Sequence, residues 1–200
     1  MAEKIPEIPE SAKIGEDFIH GINCIVGERV EIGKGTRIGN MCIIEDGAKI
    51  GDRVEIGNFC IIGKGCRIGS DSILKSNVEL REETIIGNKC YIDSGVKSSG
   101  SNVIRNEVTL RYDAIIARGC DIGDRAYICP QVMTNNVDHN GNQIGGATIE
   151  EDCFIGTNTT LGAGITIRSG TLVGSKSMVT KDIAVKGVYV GVPAKLLREF

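Results

Sequence analysis

From Ile14 to His139 the chain repeats every six residues, twenty-one times without a slip. The first slot of each block is Ile, Leu or Val in eighteen of the twenty-one; the exceptions are His20, Ser98 and Thr134. The second slot is Gly in eleven, and the fifth is small or β-branched, as at Cys24, Val30, Thr36, Cys42, Ala48, Val54, Cys60 and Cys66. A six-residue unit is too short to bury an apolar face by itself, so its stability must come from stacking on its neighbours, as in a β-helix. Three hexads close one triangular coil of eighteen residues, each supplying a short strand and a turn. Adjacent parallel strands lie about 4.8 Å apart, so these seven coils make a column roughly 30–35 Å tall. Gly in the second slot is expected to relieve the turn by permitting positive φ.

The chain has 200 residues and a net charge of -3, with 23 basic and 26 acidic side chains and no basic run longer than a pair. That balance gives no footprint for nucleic acid or for an anionic membrane surface. No apolar stretch approaches the roughly 18 residues of a membrane span. The opening MAEKIPEIPESAK has no apolar core of a signal peptide, and Pro6 and Pro9 suggest an extended lead-in. Eight cysteines raise the question of metal, disulfide or redox chemistry. Seven of them (Cys24, Cys42, Cys60, Cys66, Cys90, Cys120 and Cys153) share the fifth slot, where a small buried side chain is needed. They read as packing residues, and free thiols in this number favour a reducing, cytoplasmic compartment. Cys129, in a second slot before Pro130, is expected to be the one in an open environment.

The hexad frame breaks after His139, where nine residues (140–148, NGNQIGGAT) precede its resumption as IEEDCF, IGTNTT, LGAGIT, IRSGTL, VGSKSM, VTKDIA and VKGVYV. Nine is not a multiple of six, so a Gly- and Asn-rich loop is extruded there. The expected organisation is a lead-in at 1–13, a repeat body at 14–190 containing that loop, and a cap at 191–200, helical or extended. Between Lys75 and Ala117 the glycines thin out, and Arg81, Arg105, Arg111 and Tyr112 take outward slots. Such a face is either solvated or turned toward another subunit.

Only two histidines are present. His20 occupies an inward first slot near one end of the column and reads as structural. His139 stands in an outward slot beside the loop, preceded by Asn135, Asn136, Val137 and Asp138. An imidazole there has the chemistry of a general base near neutral pH, and loops on rigid scaffolds are where function concentrates. Asp138 or an Asn is a candidate to orient the ring. Asn135, Asn136 and Asp138 are the candidate substrate-binding residues.

These residues carry a resemblance. The hexad run is similar to that of the left-handed parallel β-helix superfamily. The implied fold is all-β: a left-handed parallel β-helix of about nine coils with one extruded loop and a short C-terminal cap. The run from Tyr127 through Cys129-Pro130 to His139 resembles the approach to the catalytic His of hexapeptide acetyltransferases such as the galactoside and maltose O-acetyltransferases. IGTNTTLGAGITIRSGTLVGSKSMVTKDI and YVGVPAKLLREF resemble their acetyl-CoA-binding coils and terminal signature. The resemblance implies His139 as catalytic general base, Gly156 and Thr157 lining the pantetheine arm, and Ser175 touching that arm through its backbone. It implies Thr180 and Lys181 facing the coenzyme phosphates, with Lys195 and Arg198 adding charge. Acetyl-CoA is then the cosubstrate, no metal is required, and the protein is a homotrimer with its site shared between subunits.

The sequence departs from the O-acetyltransferases in two places. Thr109 stands where their acceptor-side Asn is found, and the loop after His139 is short. Those departures weigh against a sugar hydroxyl as acceptor, and the compact loop with Asn135 and Asn136 before His139 also resembles acetyltransferases of nucleotide-linked amino sugars. A zinc carbonic anhydrase on this fold needs three His around each metal, more than His20 and His139 supply. The remaining alternative is a non-catalytic β-helix acting as scaffold or sensor.

Overall fold

An inward aliphatic side chain at every sixth residue leaves room for two residues of strand per face. The computed structural model, which describes residues 8–200, has twenty-seven two-residue strands from Lys13–Ile14 to Met178–Val179. Residues 1–7 of the expected lead-in lie outside the described residues. Strands three apart in sequence pair in parallel, giving three sheets of 9, 11 and 9 strands. Nine coils thus wind as a left-handed parallel β-helix, and no α-helix occurs among the described residues. The first sheet begins with Lys13–Ile14, the second with Ile19–His20 and the third with Ile25–Val26. Register is in steps of eighteen, as in Ile14↔Ile32, Ile38↔Ile56 and Ile44↔Ile62. First-slot side chains form three inward ladders, in which Ile44, Ile62, Leu80, Ile92, Ile104 and Ile116 are fully buried.

Positive φ occurs in the fourth slot rather than the second. Eighteen non-glycine residues take it, among them Asp17 (57°), Met41 (54°) and Phe59 (58°), together with Gly35, Gly47 and Gly65. A left-handed conformation costs roughly 1–2 kcal/mol for a residue with a Cβ. The stacked turns offset it: the Phe59 amide donates to the Asn40 carbonyl at 2.9 Å and the Met41 amide to Ile22 at 2.9 Å, one coil back. Third-slot side chains complete the turn. Asn58 Oδ1 accepts the Asn40 amide at 2.8 Å, and Asp52 Oδ1 accepts that of Lys34 at 2.9 Å. Second-slot glycines answer a different need. A Cβ on Gly15 would lie 2.6 Å from the Lys34 nitrogen, and one on Gly57 2.7 Å from that of Ser76, so the coils could not close up.

The fifth slot selects for more than size. Cys42 and Cys60 donate their thiols to the carbonyls of Gly57 and Lys75 at 3.0 and 3.1 Å. Thr36 and Ser72 do the same with hydroxyls, to Gly51 at 2.8 Å and Gly87 at 2.9 Å. A compact donor there satisfies a turn carbonyl of the next coil. All eight thiols are free and buried. Burial pushes Cys66, Cys90 and Cys153 up to about 11. Cys129 is not open as expected: it is 7% exposed, its thiol packed at a corner beside Thr157 and Arg111, and burial raises its pKa.

The frame also breaks a second time. After Val179 the chain cuts a corner, so that Ile183 pairs with Ile167 and Tyr189 with Val173, sixteen residues on rather than eighteen. Val185, the expected inward residue of the last hexad, is 45% exposed, while Ile183 and Val188 are buried. Strand Gly187–Val190 then extends the second sheet and Lys195–Glu199 returns antiparallel along it, so the end of the chain is extended rather than helical.

Candidate functional site

The nine extra residues appear as an excursion at the corner where the third sheet turns into the first. Residues 135–147 leave after Met133–Thr134 and rejoin at Thr148–Ile149, which pairs with Asp121–Ile122. Thr148 is therefore already strand rather than loop. The excursion folds on itself through a Val137↔Gln143 bridge and an Ile144 amide bond to the Asn136 carbonyl at 3.0 Å. Asp138 organises its tip. Its Oδ1 accepts the amides of Asn140 and Asn142 at 2.8 and 2.9 Å, and Oδ2 accepts Asn142 Nδ2 at 2.9 Å. These donors, the Asn142 side chain first, hold the carboxyl below its ordinary value of 3.8. Asp138 thus shapes the loop. His139 is exposed beside it, and Asn135 and Asn136 are half-buried at the loop's base.

The residues expected to hold a coenzyme fall in two places. Gly156, Thr157 and Ser175 line the corner where the second sheet turns into the third, in the eighth and ninth coils. Gly156 is buried directly against the next turn, where a Cβ would come 2.5 Å from the Ser175 nitrogen; Thr157 is half-buried and Ser175 exposed. Lys195 shares that corner, because residues 191–194 fold over it: the Ala194 amide donates to Met178 at 2.8 Å and Lys195 pairs with Val190. Thr180 and Lys181 are exposed on the opposite corner, that of His139, two coils beyond the loop. Arg198 lies away from both, paired with Val188 on the second sheet, its guanidinium 5.6 Å over Phe200.

Between these two corners lies the outer face of the third sheet. Its nine outward positions are Ile25, Ile43, Ile61, Glu79, Lys97, Ile115, Met133, Thr160 and Met178. Ile25, Ile61, Met133 and Met178 are exposed. Met41 and Phe59 are exposed on the adjoining second-to-third corner. At the other corner, Ile25, Ile43, Glu45 and Lys64 border an open cleft of about 290 Å³. This apolar surface was missed from the sequence, although the sixth-slot isoleucines at eighteen-residue spacing encode it. Among the described residues no group of three or more His, Cys, Asp or Glu is placed to hold a metal ion, and no helix is long and apolar enough to cross a membrane.

Residues 6–106 match the family model described as the GMPPB C-terminal domain, and residues 146–181 that described as the hexapeptide repeat of succinyl-transferase. The galactoside O-acetyltransferase of Escherichia coli (strain K12) is 33% identical over 87 residues, which are 39% of this chain and 43% of that protein. The bifunctional protein GlmU of Rubrobacter xylanophilus is 37% identical over 79 residues, 40% of this chain and 16% of that protein. The matches thus span less than half the length of either relative. Among solved structures, the UDP-N-acetylglucosamine O-acyltransferase of Moraxella catarrhalis RH4 superposes with a TM-score of 0.75 at 23% identity, over 97% of this chain and 72% of that one. The Arabidopsis UDP-N-acetylglucosamine acyltransferase gives 0.58 at 17% identity, over 100% and 74%. At these identities the likeness is one of fold.

Proposed function

We infer that this chain, which belongs through residues 6–106 to the GMPPB C-terminal domain family and also to the hexapeptide-repeat acyltransferase superfamily, moves an acetyl group from acetyl-CoA to a small polar acceptor. The acceptor is a sugar or a nucleotide-linked amino sugar. One observation carries the reading: His139 and the glycine-floored corner of Gly156, Thr157 and Ser175 stand on opposite edges of an apolar sheet. In a closed threefold ring with the third sheet facing the axis, the His139 corner of each copy adjoins the Gly156 corner of the next. A heterologous contact that closes in this way makes a finite ring, here a homotrimer. It covers the outward isoleucines and methionines and completes a site that neither edge holds alone. The compartment is cytoplasmic, in keeping with the buried free thiols.

The chemistry is direct transfer. The acceptor's hydroxyl or amine attacks the thioester carbonyl while His139 takes its proton. The tetrahedral oxyanion is met by a backbone N–H near the loop or the following coil, and it collapses with loss of the coenzyme A thiolate, which recovers the proton. The pantetheine arm lies along Gly156, Thr157 and Ser175, with Lys195 at the same edge. Thr180 and Lys181 of the copy that supplies His139 face the phosphates, while Arg198, away from both corners on the second sheet, takes no part. No metal enters the scheme. Asn135 and Asn136, at the base of the loop, reach the acceptor, and Asp138 acts by fixing the loop's shape.

The test is release of coenzyme A thiol with a panel of sugars and nucleotide amino sugars. His139→Ala is expected to lower kcat by about 10²–10⁴-fold with little change in the KM for acetyl-CoA. Full turnover by that variant would remove His139 from the mechanism. No thermal stabilisation by millimolar acetyl-CoA would remove the coenzyme itself.

A further inference from the structure

Second-slot glycine lets coils close directly on each other, so its replacement over a run of successive coils marks a place where the edge has another task. At the second-to-third corner the column reads Gly21, Gly39, Gly57, then Lys75, Asp93, Arg111, Cys129, then Gly156 and Gly174. The His139 corner also gives up glycine through these four coils, as Arg81, Ser99, Ala117 and Asn135, besides Glu45 and Thr180 elsewhere. The first-to-second corner keeps Gly69, Gly87 and Gly123 there and changes only at Arg105. The two edges that would face each other in a ring are therefore the two that change through all four coils, at the same height.

The side chains at the changed edge are built together. The Asp93 carboxylate is 2% exposed; its Oδ1 accepts the Ser94 amide at 2.9 Å and its Oδ2 accepts Arg111 Nε at 2.9 Å. Arg111 also donates to the Tyr127 hydroxyl at 2.5 Å, and Tyr127 is stacked on Phe154 with centroids 5.4 Å apart. The guanidinium carbon lies 5.4 Å from the Tyr112 ring and 6.0 Å from that of Tyr127. A coil-to-coil tie accounts for the Asp93–Arg111 pair, since a buried carboxylate needs its cation. It leaves over a guanidinium nitrogen with no protein partner among the described residues and an exposed Tyr112 ring beside it.

We propose that Arg111 and Tyr112 form the subsite for the acceptor's sugar ring, with Asp93 and Tyr127 as positioning residues that lock the guanidinium. This rests on the acyltransferase reading. An aromatic face receives the C–H side of a pyranose, and a fixed guanidinium donates to its hydroxyls. Asp93 offsets the charge of Arg111, so the subsite offers donors without net positive charge, which suits a neutral ring better than a phosphate. The order along the edge is chemically sensible. The coenzyme arm lies in the eighth and ninth coils, the loop with His139 of the neighbouring copy emerges from the seventh, and Arg111–Tyr112 lie in the sixth.

The full-length protein tests this in two ways. With turnover, Arg111→Lys and Tyr112→Ala are expected to raise the acceptor KM more than 10-fold, leaving the KM for acetyl-CoA unchanged. Asp93→Asn should shift the acceptor KM in the same direction while the trimer persists. Unchanged acceptor KM in both Arg111 and Tyr112 variants overturns the subsite. Without turnover, saturation-transfer NMR with methyl β-galactoside and glucosamine reads the contact directly. Transfer to ring protons in the wild type that disappears in Tyr112→Ala supports it; transfer retained in that variant, or absent from the wild type, overturns it. A coenzyme A thermal shift on the same samples separates the two readings. A shift without sugar contact sinks the subsite alone, and Tyr112-dependent sugar contact without a shift sinks the acyltransferase reading instead.

Discussion

The first and third sheets share one backbone plan and one kind of inward ladder, and they differ on the outside. The first sheet's outward positions are Lys13, Glu31, Lys49, Arg67, Ile85, Val103, Asp121, Thr148 and Thr166, and Glu31 bridges Lys13 and Lys49 at 3.8 and 3.2 Å. The third sheet has an aliphatic residue or methionine at six of its nine. Exposed ion pairs such as these add little stability, so the first face is simply a soluble one. The third face loses favourable burial unless it is covered. A solenoid can thus encode its assembly in the one slot that the fold leaves unconstrained.

The strongest way to break this contrast is to put charge on the third face. Ile43→Asp with Ile61→Asp is expected to convert the proposed trimer to monomers by analytical ultracentrifugation and to cut acetyl transfer more than 100-fold, because the proposed site draws on two copies. Lys49→Asp on the first face should change neither. If the doubly charged third face still sediments as a trimer, the face does not direct assembly. Next in size is the corner beside it. Gly156→Ala forces a Cβ against the Ser175 backbone and should cost about 1–3 kcal/mol in urea unfolding, along with weaker coenzyme binding. Gly47, with nothing within 4 Å of a Cβ, is the control for space, though its φ of +69° leaves a smaller strain.

Smaller again is the fifth-slot donor. Cys60→Ala leaves the Lys75 carbonyl without its thiol and should cost about 1 kcal/mol, and Cys60→Ser should restore part of it. None of the eight thiols should react readily with a disulfide reagent at pH 8 until the protein unfolds, given their burial. The smallest expected effect is acid sensitivity of the loop. Asp138 is held below its ordinary 3.8, so its contribution is complete above that value and fades as the pH falls further through its lowered value. Amide exchange of Asn140 and Asn142 should rise in that range, and Asp138→Asn should abolish the dependence.

Much of the fold was legible because one constraint recurs. First-slot aliphatics must point inward in every coil, so the period, register and extruded loop follow from Ile44, Ile62 and their equivalents. The glycines were misread because two needs look alike in sequence: close approach between coils at Gly15 and Gly57, positive φ at Gly35 and Gly47. Cys129 was misread because its slot points outward, while Arg111 and Thr157 cover it from the coils on either side. The shortened coil after Val179 was invisible because Val185 kept the hexad pattern; the pairing of Ile183 with Ile167 overrode it. His139 and the Gly156 corner could be named from the sequence. Their separation across the third sheet needed the count of strands around each coil.

The reversal at Lys195–Glu199 has a consequence for the molecule as a material. A parallel solenoid ends in rows of unpaired amides and carbonyls, and each row is a template on which another solenoid could stack end to end into a fibre. In the second sheet that row is taken by a strand running the wrong way, with Lys195, Arg198 and Glu199 on the new edge. Removing residues 191–200 should therefore show itself as time-dependent light scattering.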